Sequence, residues 1–180
     1  ILKLFAKVLK KKRFIGYVLQ MATAKGILFG NIASSPFLIQ SLHHKSAFVF
    51  SLYFALNSIA IGVGAAMSAK FERQEKCVAY SCVGMLLGSM ACALALNLGA
   101  PLIVYEIIVT ALCFAMGMTF TAATALAMNE VRDNAGAGSA VFGASGFIVG
   151  SLVSPLVGLG NIIHSVSIIF IAAATLSTIC

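Results

Sequence analysis

Six long apolar runs, separated by short polar breaks, constrain this 180-residue chain more than any other feature. They cover about residues 14–38, 47–68, 77–97, 102–128, 139–160 and 162–180. A helix needs ~20 such residues to cross the hydrocarbon core of a bilayer. The breaks are Gln40 to Ser46, Ala69 to Lys76, Leu98 to Pro101, Asn129 to Gly138 and a tight Gly160-Asn161 turn. Strands do not fit, because the runs lack period-2 alternation and a sheet facing lipid would leave backbone groups unpaired. Composition agrees: 61% of residues are apolar and 9% are charged, against about 25% charged in a soluble domain. So few charges cannot coat a water-facing surface. A soluble enzyme, a disordered chain and a nucleic-acid-binding module are therefore excluded. The net charge of +7 does not rescue the last of these, since the basic residues gather at one end. The expected fold is an all-α membrane protein with six transmembrane helices, and nothing in it points to an enzyme.

The cations set the orientation. Lys3, Lys7, Lys10, Lys11, Lys12, Arg13, Lys70, Arg73, Lys76 and Arg132 fall on one side of a six-span topology. Lys45 falls on the other, and Lys25 lies within the first span. This asymmetry places both ends in the cytoplasm, and His43, His44 and His164 at the outer side. Residues 1–13 are expected to be a basic cytoplasmic linker that fixes topology. An amphipathic helix on anionic lipid is the alternative for this segment. It is no signal peptide, since the apolar run after it has no small-residue cleavage site. The chain starts without Met and stops in an apolar run, which reads as a piece of a longer protein. Cysteines 77, 82, 92, 113 and 180 form no CxxC pair and read as packing residues.

Four features rise above hydropathy. In the fifth span Gly143, Gly146, Gly150, Ser154 and Gly158 recur at spacings of 3, 4, 4 and 4, on one helix face. Such a stripe lets two helix backbones approach closely, while Pro155 within it removes a hydrogen bond and suggests a hinge at Ser154-Pro155. In the fourth span Glu106, Thr110, Cys113, Gly117, Thr121 and Thr124 form a polar, small-residue line. Helix packing and a substrate pathway both explain it, and an intramembrane carboxylate favours a cavity or a partner. In the first span Gln20, Thr23, Asn31, Ser34 and Ser35 share a face that ends at Pro36, where a bend or break is expected. That face suits a substrate pathway, or hydrogen bonding between helices. The fourth feature is Lys25, near mid-depth and about 140° round the helix from Gln20. It needs a partner, and Glu106 is the candidate acid within the spans. No metal motif, nucleotide loop or catalytic triad is present, and no cofactor is expected.

Several stretches together resemble the second half of a major facilitator superfamily transporter, in the Bcr/CflA-type drug-resistance branch. They are Arg13-Phe14-Ile15-Gly16-Tyr17-Val18-Leu19, Ser35-Pro36-Phe37-Leu38-Ile39-Gln40, Phe54-Ala55-Leu56-Asn57, Ala122-Ala123-Thr124-Ala125-Leu126-Ala127, Gly136-Ala137-Gly138-Ser139-Ala140 and Ser154-Pro155-Leu156-Val157-Gly158-Leu159. They run in order from about residue 11 to 160. The resemblance implies a C-terminal six-helix bundle that rocks against an N-terminal one in a bacterial inner membrane. It further implies drug:proton antiport, with protons and a drug-like or metabolite molecule as partners, and a cavity lined by the spans 14–38 and 102–128. Another superfamily transporter, for a sugar or an amino acid, and a non-transporting membrane scaffold subunit are the rival readings. The 68–76 loop fits the superfamily's gate-loop pattern only loosely, and Lys25 is not expected from it.

Overall fold

The computed structural model describes residues 2–179, with side chains from Leu4 onward. Ile1 and Cys180, and the Lys3 side chain, all used in the sequence reading, lie outside the described residues. The described chain is helical nearly throughout and contains no strand. Its helices are α1 (Leu2–Leu9), α2 (Lys12–Pro36), α3 (Ala47–Ser68), α4 (Gln74–Asn97), α5 (Leu102–Glu130), α6 (Ala135–Val157) and α7 (Ile162–Ile179). Five of them, α3 to α7, are long and apolar enough to cross a membrane. The remaining expected span, α2, has 25 residues, or ~37 Å of helix, but is more polar. This is an all-α, multi-pass membrane protein.

Local chemistry explains the boundaries. Ser46 caps α3 by accepting from the Val49 amide at 3.3 Å. Asn161 begins α7 by accepting from the Ile163 amide at 3.0 Å. Helix α4 ends in a Schellman motif: the Ala100 amide donates to Ala95 O at 2.9 Å and the Gly99 amide to Leu96 O at 3.3 Å. Gly99 has φ of 65°, a conformation that glycine adopts without steric cost, and Pro101 follows at once. The loop after α3 is latched by Gln74, which donates to Ser68 O at 3.2 Å and Phe71 O at 3.1 Å.

The structure bears on three expectations. The segment read as a basic linker holds a helix: residues 2–9 form α1, whose Val8 is fully buried with Phe14, Val18, Met21, Ala127, Val131 and Phe142. Val8 docks on the bundle while Leu4 and Leu9 stay exposed. The Lys11 ammonium adds a bond to the Glu130 carbonyl. Second, the regular α-helix of the first span ends at Pro36, and the chain continues from there as a π-helical turn, Phe37–Leu42. Third, Pro155 sits two residues before the end of α6, so it helps to end the helix and does not bend its middle.

Helices in lipid gain little from hydrophobic burial against one another, so close packing must hold them. The main pairings are α3 with α5, α4 with α5, α2 with α6, α2 with α7, α4 with α7, and α2 with α5. This list is unchanged when α2, α3 and α4 are exchanged for α5, α6 and α7. The bundle is thus two three-helix units of equivalent pairing, with α2 and α5 meeting at the centre. Helix α5 is the most buried of the five spans, through Tyr105, Val109, Leu112 and Met116, while α3 and α6 are the least buried.

Candidate functional site

The polar line of α5 turns toward α3. Glu106 is buried, and its Oε2 accepts a hydrogen bond from Asn57 Nδ2 at 3.3 Å. The Thr110 hydroxyl lies 2.9 Å from Asn57 Oδ1 and 2.8 Å from its own helix's Glu106 O. The three side chains therefore form one cluster across the α3/α5 interface. A crevice of about 200 Å³, lined by Tyr53, Leu56, Ile103, Glu106, Ile107 and Thr110, opens beside it. Two turns further in, the same helices touch backbone to backbone. A Cβ on Gly64 would lie 2.1 Å from Phe114 O, and one on Gly117 would lie 2.1 Å from Ile61 O. Only glycine fits at both positions. Lower on the line, Thr121 and Thr124 donate to their own helix, at Gly117 O and Phe120 O.

The polar residues of α2 do not act as one face. Ser34 and Ser35 donate to Asn31 O at 3.2 and 2.7 Å, and Ser35 also reaches Asn31 Oδ1 at 3.2 Å. All three are buried. Thr23 bonds its own backbone at Leu19 O. Gln20 points instead into a cleft of about 310 Å³ that it shares with Tyr17, Glu75, Cys82, Ser177 and Thr178, where its Oε1 is buried without a partner. Among the described residues no hydrogen bond joins Gln20, Asn31, Ser34 or Ser35 to the α5 line.

Lys25 does not pair with Glu106. Its ammonium lies 5.0 Å from the centroid of the Phe147 ring, and its stem passes over Gly146, where a Cβ would lie 2.2 Å from Lys25 Cδ. The reason is angular: Lys25 is far round α2 from the polar face and meets α6, while Glu106 is engaged by α3. The glycine stripe of α6 is divided accordingly. Gly146 receives Lys25 and Gly150 receives the Phe29 ring at 2.4 Å from its would-be Cβ, whereas Gly143 faces open space and Gly158 meets only its own helix. The stripe thus admits side chains of α2, not a second backbone. Ser154 donates to Gly150 O at 2.9 Å.

Two residues that matter here, Asn57 and Gly64, stand outside the site candidates read from sequence. Their spacing of seven places both on one face of the second span, and that register is the signal available for them.

The fold and its buried polar cluster define a polytopic helical membrane protein of paired three-helix units. In comparison with known proteins, the chain is similar to a Bacillus subtilis (strain 168) protein described as an uncharacterized MFS-type transporter, YdgK. The two are 27% identical over 162 residues, covering 88% of this chain and 40% of that protein. The chain thus spans about two-fifths of the length of this relative. No family model matches the chain, and no solved structure matches it.

Proposed function

We propose that the chain is the C-terminal six-helix half of a major facilitator superfamily transporter, in the Bcr/CflA-type drug-resistance branch. It exports drug-like or small metabolite molecules against protons by alternating access in the bacterial inner membrane, with both ends cytoplasmic. The observation that carries this reading is the similarity to an MFS-type transporter along 88% of the chain. The pairing of two equivalent three-helix units supports it, since nested repeats of three helices are how such transporter halves are built. The little-buried α3 and α6 leave room for an N-terminal bundle to close against them. Branch, direction and proton coupling rest on the sequence resemblance.

The test is accumulation of a compound panel by cells with and without the full-length protein, before and after an uncoupler. Lower accumulation that rises with the uncoupler supports the reading. Equal accumulation of every compound would sink it. Residues 1–180 alone, reconstituted in liposomes, should insert and yield no substrate-specific flux, because rocking needs two bundles.

A further inference from the structure

Lys25 is the intramembrane charge that the bundle leaves unanswered. It lies thirteen residues into α2, or ~20 Å along a helix of ~37 Å, too far from either end for its ammonium to reach bulk water easily. A cation at this depth is costly and faces a partner, a ligand or a water-filled cavity. Among the described residues the sole ion pair is Arg13 with Glu130, so Lys25 has no carboxylate. It makes no hydrogen bond among them either, and the Phe147 ring answers its charge only from one side.

The surroundings are arranged around this side chain. Gly146 is buried and its missing Cβ is the space through which the Lys25 stem runs, with Nζ 3.0 Å from where that atom would be. One turn further along α6, Gly150 gives the same room to Phe29. The Phe29 and Phe147 rings then lie 6.2 Å apart, tilted by 58°. Phe147 is 65% exposed, so the ring and the ammonium above it stand at an open face of α2 and α6. A fixed cation beside two aromatic rings matches a molecule with an anionic head and a flat apolar body.

We propose that Lys25 is an anion-binding residue of the transport pathway, and that the transported molecules include small aromatic organic anions. This rests on the transporter reading. The ammonium donates to the anionic head, the Phe29 and Phe147 rings hold the body, and Gly146 keeps the lysine extended across α6. It names a substrate class for which the crevice at Glu106 offers no cation, and the other cations of α2, Lys12 and Arg13, stand at its first turn.

The experiment is equilibrium dialysis of full-length protein in detergent with salicylate, benzenesulfonate and phenylphosphonate, each against an uncharged amide or ester counterpart. At least one anion should bind, and its neutral counterpart should bind about 10-fold more weakly or less. Lys25→Gln should weaken anion binding by about 10- to 100-fold, as expected for loss of a charge-assisted hydrogen bond, and Lys25→Arg should keep most of it. Gly146→Ala, which leaves the charge in place but crowds the lysine stem, should also weaken binding. Absence of binding by all three anions, equal binding of neutral counterparts, or anion binding unchanged in both Lys25→Gln and Gly146→Ala would each overturn the proposal. Uncoupler-sensitive export of neutral or cationic compounds alongside such a result would leave the transporter reading intact. Lys25-dependent anion binding without flux of any compound would support the site and sink the transporter reading.

Discussion

Replacing Gly117 with alanine tests the backbone contact on which α3 depends. The added Cβ would stand 2.1 Å from Ile61 O, 2.8 Å from Ile61 C and 3.0 Å from its Cα. All three are backbone atoms, so no rotamer change relieves the clash. To restore an ordinary contact of about 3.4 Å, α3 must retreat by more than 1 Å, and a gap of 0.5–1 Å already forfeits a quarter to a half of a dispersion contact. Overpacking of this kind costs about 1–3 kcal/mol. The same retreat stretches the 3.3 Å bond from Asn57 to Glu106, and a buried acceptor left unpaired costs about 1–3 kcal/mol more. Against this stands the better helix propensity of alanine, about 1 kcal/mol. The control is Gly62→Ala on the partner helix α3, where a Cβ meets nothing within 4 Å and propensity acts alone. In denaturant titrations of the full-length protein in micelles, followed by helical circular dichroism, Gly117→Ala should fall below Gly62→Ala by about 2 kcal/mol or more. Equal stability, or a more stable Gly117→Ala, would refute the backbone contact.

Three further outcomes are expected. Gly150→Leu drives atoms into the Phe29 ring and should lower thermal stability or expression, while Gly143→Leu, facing open space, should be mild; Val149 is no neutral control, since its Cγ1 lies 3.1 Å from the would-be Cβ of Gly26. In a double-mutant cycle, Asn57→Ala and Glu106→Gln should each cost about 1–3 kcal/mol, with a coupling of at least ~0.5 kcal/mol, and full additivity would mean that they do not act as one cluster. With the native cysteines removed, His44→Cys should react with an impermeant thiol reagent on intact cells, and Lys70→Cys only after permeabilisation. Both positions are exposed in the fold, unlike Cys77, which is buried and would stay unlabelled on either side.

Hydropathy carried the fold because it reports one-dimensional facts. The run at 47–68 coincides with α3, and the other apolar runs match their helices to within a few residues. Glu106 was legible as well, since an acid among Ile, Val and Leu is visible without knowing its neighbours. Its partner was not, because Asn57 lies 49 positions away and nothing local distinguishes a bonded asparagine from a lipid-edge one. The glycine stripe shows a related limit. Periodicity shows which residues share a face, but what meets that face is set by the neighbour: Lys25 and Phe29 fill two of the positions, and the true backbone contact lies elsewhere, at Gly64 and Gly117. Helix α1 shows the same limit. Its sequence, with six apolar residues and two lysines, does not say which of them docks, and Val8 is the one buried against the bundle.

The two intramembrane charges end up with different physical roles, and that difference bears on mechanism. Glu106 is engaged by groups of its own bundle: Asn57 donates to it, Thr110 completes the cluster, and the glycine contact holds α3 close enough for this to persist. A carboxylate fixed in this way braces α3 to α5 and has little freedom to follow a moving ligand. Lys25 is held by a long stem over a glycine and by one face of an aromatic ring. Such contacts position an ammonium without satisfying its hydrogen-bonding capacity. Under the proposed transport by alternating access, the charge left open is the one whose partner can change between states. Under the equivalent pairing of the two units, α2 and α5 occupy matching places, and each presents its charge to the outer helix that it packs against, α6 or α3. One of these two interfaces is closed by a hydrogen-bonded cluster and the other is left open, so selectivity within this bundle is expected to lie at α2 and α6.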